Sequence, residues 1–311
     1  MSNDEQPVLF LNPTFNPVPF KYFEEFMSKP KGTLIIIGGN MHLPPDRNQA
    51  VEMEDPNFYD SGILKIFSEQ LQGKTQRIEI IPTASNFPEE AAARYVNAFA
   101  RLGLENIGVL DVRSRGDAQN ESLIKRVTEA EGVLFTGGDQ LLLTTNFGGT
   151  QFLEALRERY LYDTIAIAGT SAGAMAMSET MIYQGSSSEA LRKGEIKFCS
   201  GFGFINNMII DTHFVQRGRI GRLFQAIASN PGSLGVGLGE DTGLLITQGD
   251  IKEVIGSGLI IIVDGTWIRH TNIASIANGE LISIENLNVH VLVPGDSYIL
   301  SEKRIIHTES E

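Results

Sequence analysis

The sequence predicts a three-layer α/β/α fold on a mostly parallel sheet, with a β-rich edge at its C-terminal end. Three observations carry this. Short β-branched runs alternate with segments of helical spacing from residue 32 to about 170, which is the signature of strand–helix–strand units. The first run, Thr33–Ile37, is continuously apolar, as a strand buried on both faces should be. Beyond about residue 232 the pattern changes to short strands and turns.

Taken in order, residues 1–31 stand apart. Phe10, Phe15, Phe20, Tyr22, Phe23 and Phe26 lie irregularly among prolines, and so many aromatics are expected to pack as an extension onto the body. A single α/β domain is expected over 32–311. Its first strand ends at Gly38-Gly39. Helical spacing over 63–71, a strand over 77–81 stopped by Pro82, and a helix over 89–102 ending at Gly103 follow. A strand over 107–112, a helix over 122–130, a strand over Gly132–Phe135, a helix over 152–160 and a strand over 164–168 continue the alternation. The later strands, over 252–255, 259–263 and 289–293, read as continuation of the same sheet.

Composition narrows the function. Apolar residues make up 42% and charged residues 20% of 311, with 32 Gly and 12 Pro, which describes an ordered globular chain. A net charge of −13 argues against nucleic acid as a partner, since phosphate binding needs a basic face. Cys199 is the one cysteine, which excludes an intramolecular disulfide and a cysteine-rich metal site. The polar, acidic start lacks a secretory pattern and the apolar runs are too short to span a bilayer, so the cytoplasm is the expected compartment.

The strongest chemical signal is Gly169-Thr170-Ser171-Ala172-Gly173, between an expected strand and the helix-compatible run from Ala174. Glycines on either side let the chain turn sharply, leaving the Ser171 hydroxyl exposed above the sheet edge, and the helix behind points free N–H groups at a developing oxyanion. A serine nucleophile needs a base. Of the five histidines, His290 and His307 fit poorly, His270 ends an exposed strand, and His42 follows the Gly-Gly-Asn turn. His213 is the better candidate, at the polar tip of Ile209-Ile210-Asp211-Thr212-His213. The carboxylate that orients a base could come from Gly237-Leu238-Gly239-Glu240-Asp241-Thr242, where pattern does not separate Glu240 from Asp241.

Two further stretches look chemically purposeful. Gly137-Gly138 follows the strand ending at Phe135 and could bring backbone N–H groups to a substrate carbonyl. Arg217, Arg219 and Arg222 crowd six residues of an acidic chain. Ile220, Leu223, Phe224 and Ile227 have the spacing of one buried helix face, which leaves Arg219 and Arg222 as neighbours away from it, suited to substrate carboxylates.

Together Gly38-Gly39, FTGGDQ (135–140), GTSAGA (169–174), DTHFVQRGRIGRL (211–223) and GLGEDT (237–242) resemble the cyanophycinases of serine peptidase family S51. The resemblance runs from about Gly32 to about Thr271. It implies a fold like class I glutamine amidotransferases and a homodimer. No cofactor is expected, and no metal, because the sequence lacks a cysteine cluster and its histidines are scattered instead of sharing helical i, i+4 spacing. The implied activity is cleavage of cyanophycin, a poly-aspartate chain carrying an arginine on each side-chain carboxylate, to β-aspartyl-arginine dipeptides. The resemblance also implies Ser171 as nucleophile, His213 as base and Glu240 as the orienting acid. Gly138 and Ala172 become the backbone oxyanion donors, and Gln140, Asp211, Arg217, Arg219 and Arg222 substrate-binding residues. The competing readings are an aspartyl dipeptidase with the same three residues and a non-catalytic amidotransferase-like binding module.

Overall fold

A computed structural model of the chain describes residues 29–43, 62–72 and 75–308. The aromatic extension expected over 1–31 therefore lies almost wholly outside the described residues. The strands among them are β1 Thr33–Ile37, β2 Ile78–Ile81, β3 Ile107–Val109, β4 Gly132–Phe135, β5 Ala166–Thr170, β6 Thr180–Gln184, β7 Lys197–Ser200, β8 Met208–Asp211, β9 Leu234–Leu238, β10 Thr242–Thr247, β11 Asp250–Gly256, β12 Ile260–Asp264, β13 His270–Thr271, β14 Ile284–Glu285, β15 Asn288–Leu292, β16 Ser297–Ile299 and β17 Arg304–Ile306. The helices are α1 Ile63–Glu69, α2 Pro88–Arg101, α3 Glu121–Glu129, α4 Gln140–Phe147, α5 Gln151–Tyr162, α6 Ala172–Ala176 and α7 Ile220–Ser229.

The central sheet runs β17-β16-β11-β10-β1-β5-β4-β2-β3. Its β1-β5-β4-β2-β3 half is parallel, and β10 pairs antiparallel with β1 to begin the remainder. Alternation along β1 explains the layers. Ile35 and Ile37 face one core with Leu64 and Phe67 of α1 and Phe99 of α2, while Leu34 and Ile36 face a second core with α3 to α7. Both faces are fully buried, so the run had to be continuously apolar.

The C-terminal strands do not all continue this sheet. β10, β11, β16 and β17 do, but β12 and β15 join β8 and β9 in a separate four-stranded sheet ordered β15-β12-β9-β8. Its buried apolar residues, among them Ile210, Val236, Ile262 and Leu292, share the second core, while Val289 and Val291 of β15 are exposed. An apolar run reports burial, not which sheet it pairs into. The chain crosses between sheets at Gly239–Asp241, from the end of β9 to the start of β10.

Register fixes what gathers at one edge. Ile37 stands opposite Thr170 and opposite Gly243, and Phe135 opposite Gly169. The segments after β1, β4 and β5, and the one before β10, therefore meet at the carboxyl ends of the parallel strands, where sites of such sheets form. Asp211 ends β8 opposite Gly237, close to the crossing, so β8 delivers its following turn to the same edge.

Candidate active site

Strand β5 runs two residues beyond the expected end, through Gly169 to Thr170, and α6 begins at Ala172. Ser171 sits between them at φ 52° and ψ −109°. The turn is tight enough that a Cβ on Gly169 would lie 2.4 Å from the Gly173 carbonyl oxygen, and one on Gly173 2.4 Å from that of Phe135. Any side chain at either position would push the elbow open.

Ser171 Oγ lies 2.9 Å from His213 Nε2, and His213 Nδ1 lies 2.7 Å from Glu240 Oε1. His213 enters from the turn after β8, its N–H donating to the Gly38 carbonyl at 2.9 Å. Gly39 closes over the ring: a Cβ there would come within 2.5 Å of His213 Cε1. Burial pushes the His213 pKa below its ordinary value, with Arg217 and Arg219 acting the same way and Glu240 opposing them. The neutral, proton-accepting imidazole is thereby favoured.

The two adjacent carboxylates have different partners. Glu240 faces His213, and its Oε2 accepts from Asn40 Nδ2 at 3.0 Å. The Asn40 and His213 hydrogen bonds hold the Glu240 carboxyl below its usual pKa, so it stays charged. Asp241 instead accepts from the His42 N–H at 3.0 Å and from Ser257 Oγ at 2.5 Å, with His42 Nδ1 3.3 Å away. His42 thus belongs to Asp241 and stays off Ser171.

Of the nine non-glycine residues at positive φ among those described, Asn40, Ser171, His213 and Asp241 belong to this cluster. Each such conformation costs on the order of 1–3 kcal/mol and persists only where neighbours enforce it. Gly137 is adjacent, since a Cβ there would stand 3.2 Å from Ser171 Cβ. Neither the Gly138 nor the Ala172 N–H donates to any described residue. Asn40 was not legible from pattern, nor was Gln216, whose Oε1 accepts from the Glu240 N–H at 3.2 Å. The one signal was Gly-Gly-Asn following a buried strand.

A family model described as Peptidase family S51 matches residues 53–254, a span that contains Ser171, His213 and Glu240. The chain belongs to peptidase family S51. Membership makes it a serine-type peptidase. A relative named cyanophycinase from Trichormus variabilis is 34% identical over 244 residues, 78% of this chain and 82% of the relative. One of the same name from Geminocystis herdmanii is 36% identical over 236 residues, 76% of this chain and 87% of the relative. The crystal structure of a peptidase from an acI-B1 actinobacterium shares the fold, with a TM-score of 0.59 at 22% identity, covering 78% of this chain and 94% of that one.

The arginine-rich stretch of this S51 peptidase departs from the expectation. Arg222 does not lie on an open helix face: it is 4% exposed, with Nη1 donating to the Gly185 carbonyl at 2.9 Å. The polar side of α7 is covered by the segment after β6, because Gln225 Oε1 accepts from the Gly194 N–H and its amide donates to Arg192 O. Helical spacing identified the apolar side but not this cover, and Ile220, assigned to the buried face, is exposed. Asp211, expected to meet substrate, is fully buried between Arg219 and Arg222. Gln140 braces β6 from the start of α4, its Nε2 donating to the Ile182 and Tyr183 carbonyls at 3.1 and 3.0 Å. Arg217 alone among the three arginines is exposed, and its guanidinium pairs with no other described residue. Among the described residues no three His, Cys, Asp or Glu gather as metal ligands, and no helix is long and apolar enough to cross a membrane.

Proposed function

We propose that this S51 peptidase cleaves the aspartate backbone of cyanophycin to β-aspartyl-arginine dipeptides, with Ser171 as nucleophile, His213 as general base and Glu240 as orienting acid. The observation that carries the mechanism is the unbroken chain of contacts from Ser171 Oγ through His213 to Glu240, at 2.9 and 2.7 Å. The substrate rests on the cyanophycinase relatives at 34–36% identity.

In the acylation step His213 Nε2 takes the Ser171 proton as Oγ attacks the backbone carbonyl. The oxyanion forms against the Gly138 and Ala172 N–H groups, both without a partner among the described residues. Glu240 accepts from Nδ1–H and balances the imidazolium. His213 then protonates the leaving amine, the C–N bond breaks, and an ester on Ser171 remains. Water, deprotonated by His213, attacks that ester and releases the carboxylate, returning the proton to Ser171.

Arg217 is the group suited to a substrate arginine carboxylate, being exposed, unpaired and beside His213. The remaining expected contacts, Gln140, Asp211, Arg219 and Arg222, each hold a group inside the protein. A cytoplasmic homodimer is the proposed setting, with the single Cys199 suited to a reducing compartment.

The test is to incubate the purified protein with cyanophycin and identify released material by mass, alongside Ser171→Ala. The expected result is β-aspartyl-arginine from the parent and a loss of several orders of magnitude in the variant. Cleavage of small aspartyl dipeptides with none of the polymer would instead support the dipeptidase reading.

A further inference from the structure

Asp211 closes β8, and its Oδ1 accepts from Arg219 Nη1 at 2.9 Å and from the Thr212 N–H at 3.0 Å. The same Nη1 donates to the Thr212 carbonyl at 2.9 Å. That carbonyl belongs to the peptide unit entering His213, whose N–H donates to Gly38 on the other side at 2.9 Å. The unit is thus held from both ends at the point where the backbone must take φ 48°, a conformation an L residue leaves unless held. The turn itself brings the partner back. The Arg217 N–H donates to the His213 carbonyl and the Arg219 N–H to the Phe214 carbonyl, returning the guanidinium to the carboxylate eight residues earlier. Arg222 Nε lies 2.8 Å from Asp211 Oδ2 without the alignment of a hydrogen bond, so it supplies charge and a tie to Gly185.

We propose that Asp211 and Arg219 form a clasp that positions His213: the buried carboxylate holds Arg219 so that its Nη1 fixes the Thr212 carbonyl and keeps the imidazole aimed at Ser171. The inference rests on the Ser171–His213 chemistry proposed above. It assigns both residues a positioning role, since the carboxylate is fully buried and the Arg219 side chain is 14% exposed with Nη1 turned inward.

The alternative is that Arg219 captures a substrate carboxylate, and a lysine separates the two. One nitrogen makes both clasp bonds, so a Lys ammonium with three donors can replace it. A planar fork on a carboxylate cannot be replaced in that way.

The experiment measures kcat and KM on cyanophycin for Arg219→Ala, Arg219→Lys and Asp211→Asn. It also measures the rate at which a small fluorophosphonate, with neither carboxylate nor guanidinium, labels Ser171. Arg219→Ala is expected to lower kcat and the labelling rate together by about 100-fold, the usual effect of misplacing a reacting group by about 1 Å, with KM within about threefold. Arg219→Lys should recover both to within about tenfold of the parent, and Asp211→Asn should resemble Arg219→Ala. If Asp211→Asn does not fold, the Ala and Lys pair at Arg219 decides alone. A raised KM with unchanged labelling, or a Lys variant as slow as the Ala one, overturns the clasp. A parent that is not labelled at Ser171 overturns the underlying mechanism as well, and so is distinguishable from failure of the clasp.

Discussion

Replacing Glu240 by Gln tests the proposed orienting acid with almost no change of shape. The carboxylate has two distinct partners: Oε1 accepts from His213 Nδ1 at 2.7 Å, and Oε2 accepts from Asn40 Nδ2 at 3.0 Å. Asn40 Nδ2 is a donor, so a glutamine will turn its oxygen toward Asn40 and its NH2 toward His213. Nδ1 must then act as acceptor, which puts the ring proton on Nε2, facing Ser171 Oγ. In that tautomer Nε2 cannot take the serine proton. The expected loss in kcat is about 10³ to 10⁴, or about 4 to 5.4 kcal/mol at 1.36 kcal/mol per decade. Dipeptide release should be followed under conditions where parent and variant are equally folded. The same geometry predicts a partial rescue. Adding Asn40→Asp to Glu240→Gln supplies an acceptor for the glutamine NH2, letting its oxygen face His213 again, and should recover at least about tenfold. Asp241→Asn, whose contacts are His42 and Ser257, should cost no more than about tenfold. If Glu240→Gln keeps more than about a tenth of parent activity, or Asp241→Asn proves the inactive variant, the assignment of Glu240 is wrong.

Two other outcomes follow from the same cluster. The proposed base must be neutral to accept a proton, so with His213 in that role activity rises with pH through its pKa; burial depresses that pKa, and the acid limb of kcat/KM should therefore fall below about pH 6.5. A limb above pH 7 would contradict this environment. Gly39→Ala would set a Cβ within 2.5 Å of His213 Cε1 at φ 103°, and should lower kcat by about 100-fold or more, read by steady-state kinetics beside a melting curve; an active, normally folded variant would show that the ring can move without loss.

The parts of the fold that were legible are those where one residue type has one physical use. Thr33–Ile37 and Gly132–Phe135 could be read to the residue because their buried positions on both faces are filled by apolar or small residues. The sharp turn at Ser171 was legible because its glycines are demanded by close approach of backbone, a constraint local in sequence. What stayed hidden depends on distant chain. Asn40 reaches Glu240 across 200 residues through one side-chain contact, and no period or spacing encodes that. Helix α4 was missed because its run Leu141-Leu142-Leu143-Thr144-Thr145 lacks a polar face; its start is set by Asp139, whose side chain accepts from the Leu141 N–H. The burial of Arg222 was missed for a related reason: an amphipathic pattern shows which side of a helix is apolar and is silent on whether another segment covers the polar side.

The chain order of the three proposed catalytic residues follows from the same topology. Ser171 comes from the end of β5 in the parallel half, where a strand-to-helix turn can be sharp. His213 comes from the end of β8 in the smaller sheet, and Glu240 from the crossing that carries the chain from β9 back to β10. The base and the acid are thus held by the junction of two sheets, with the Gly38 carbonyl bonding His213 and the Gly39 carbonyl bonding the Asp241 N–H. The serine belongs to the central sheet alone. A perturbation that loosens the junction should therefore misplace His213 and Glu240 together and leave Ser171 in place. Such variants would lose the alignment between serine and base before they lose the elbow. This is why the first strand's glycine pair, which contributes no reactive group, lies at the mechanical centre of the site.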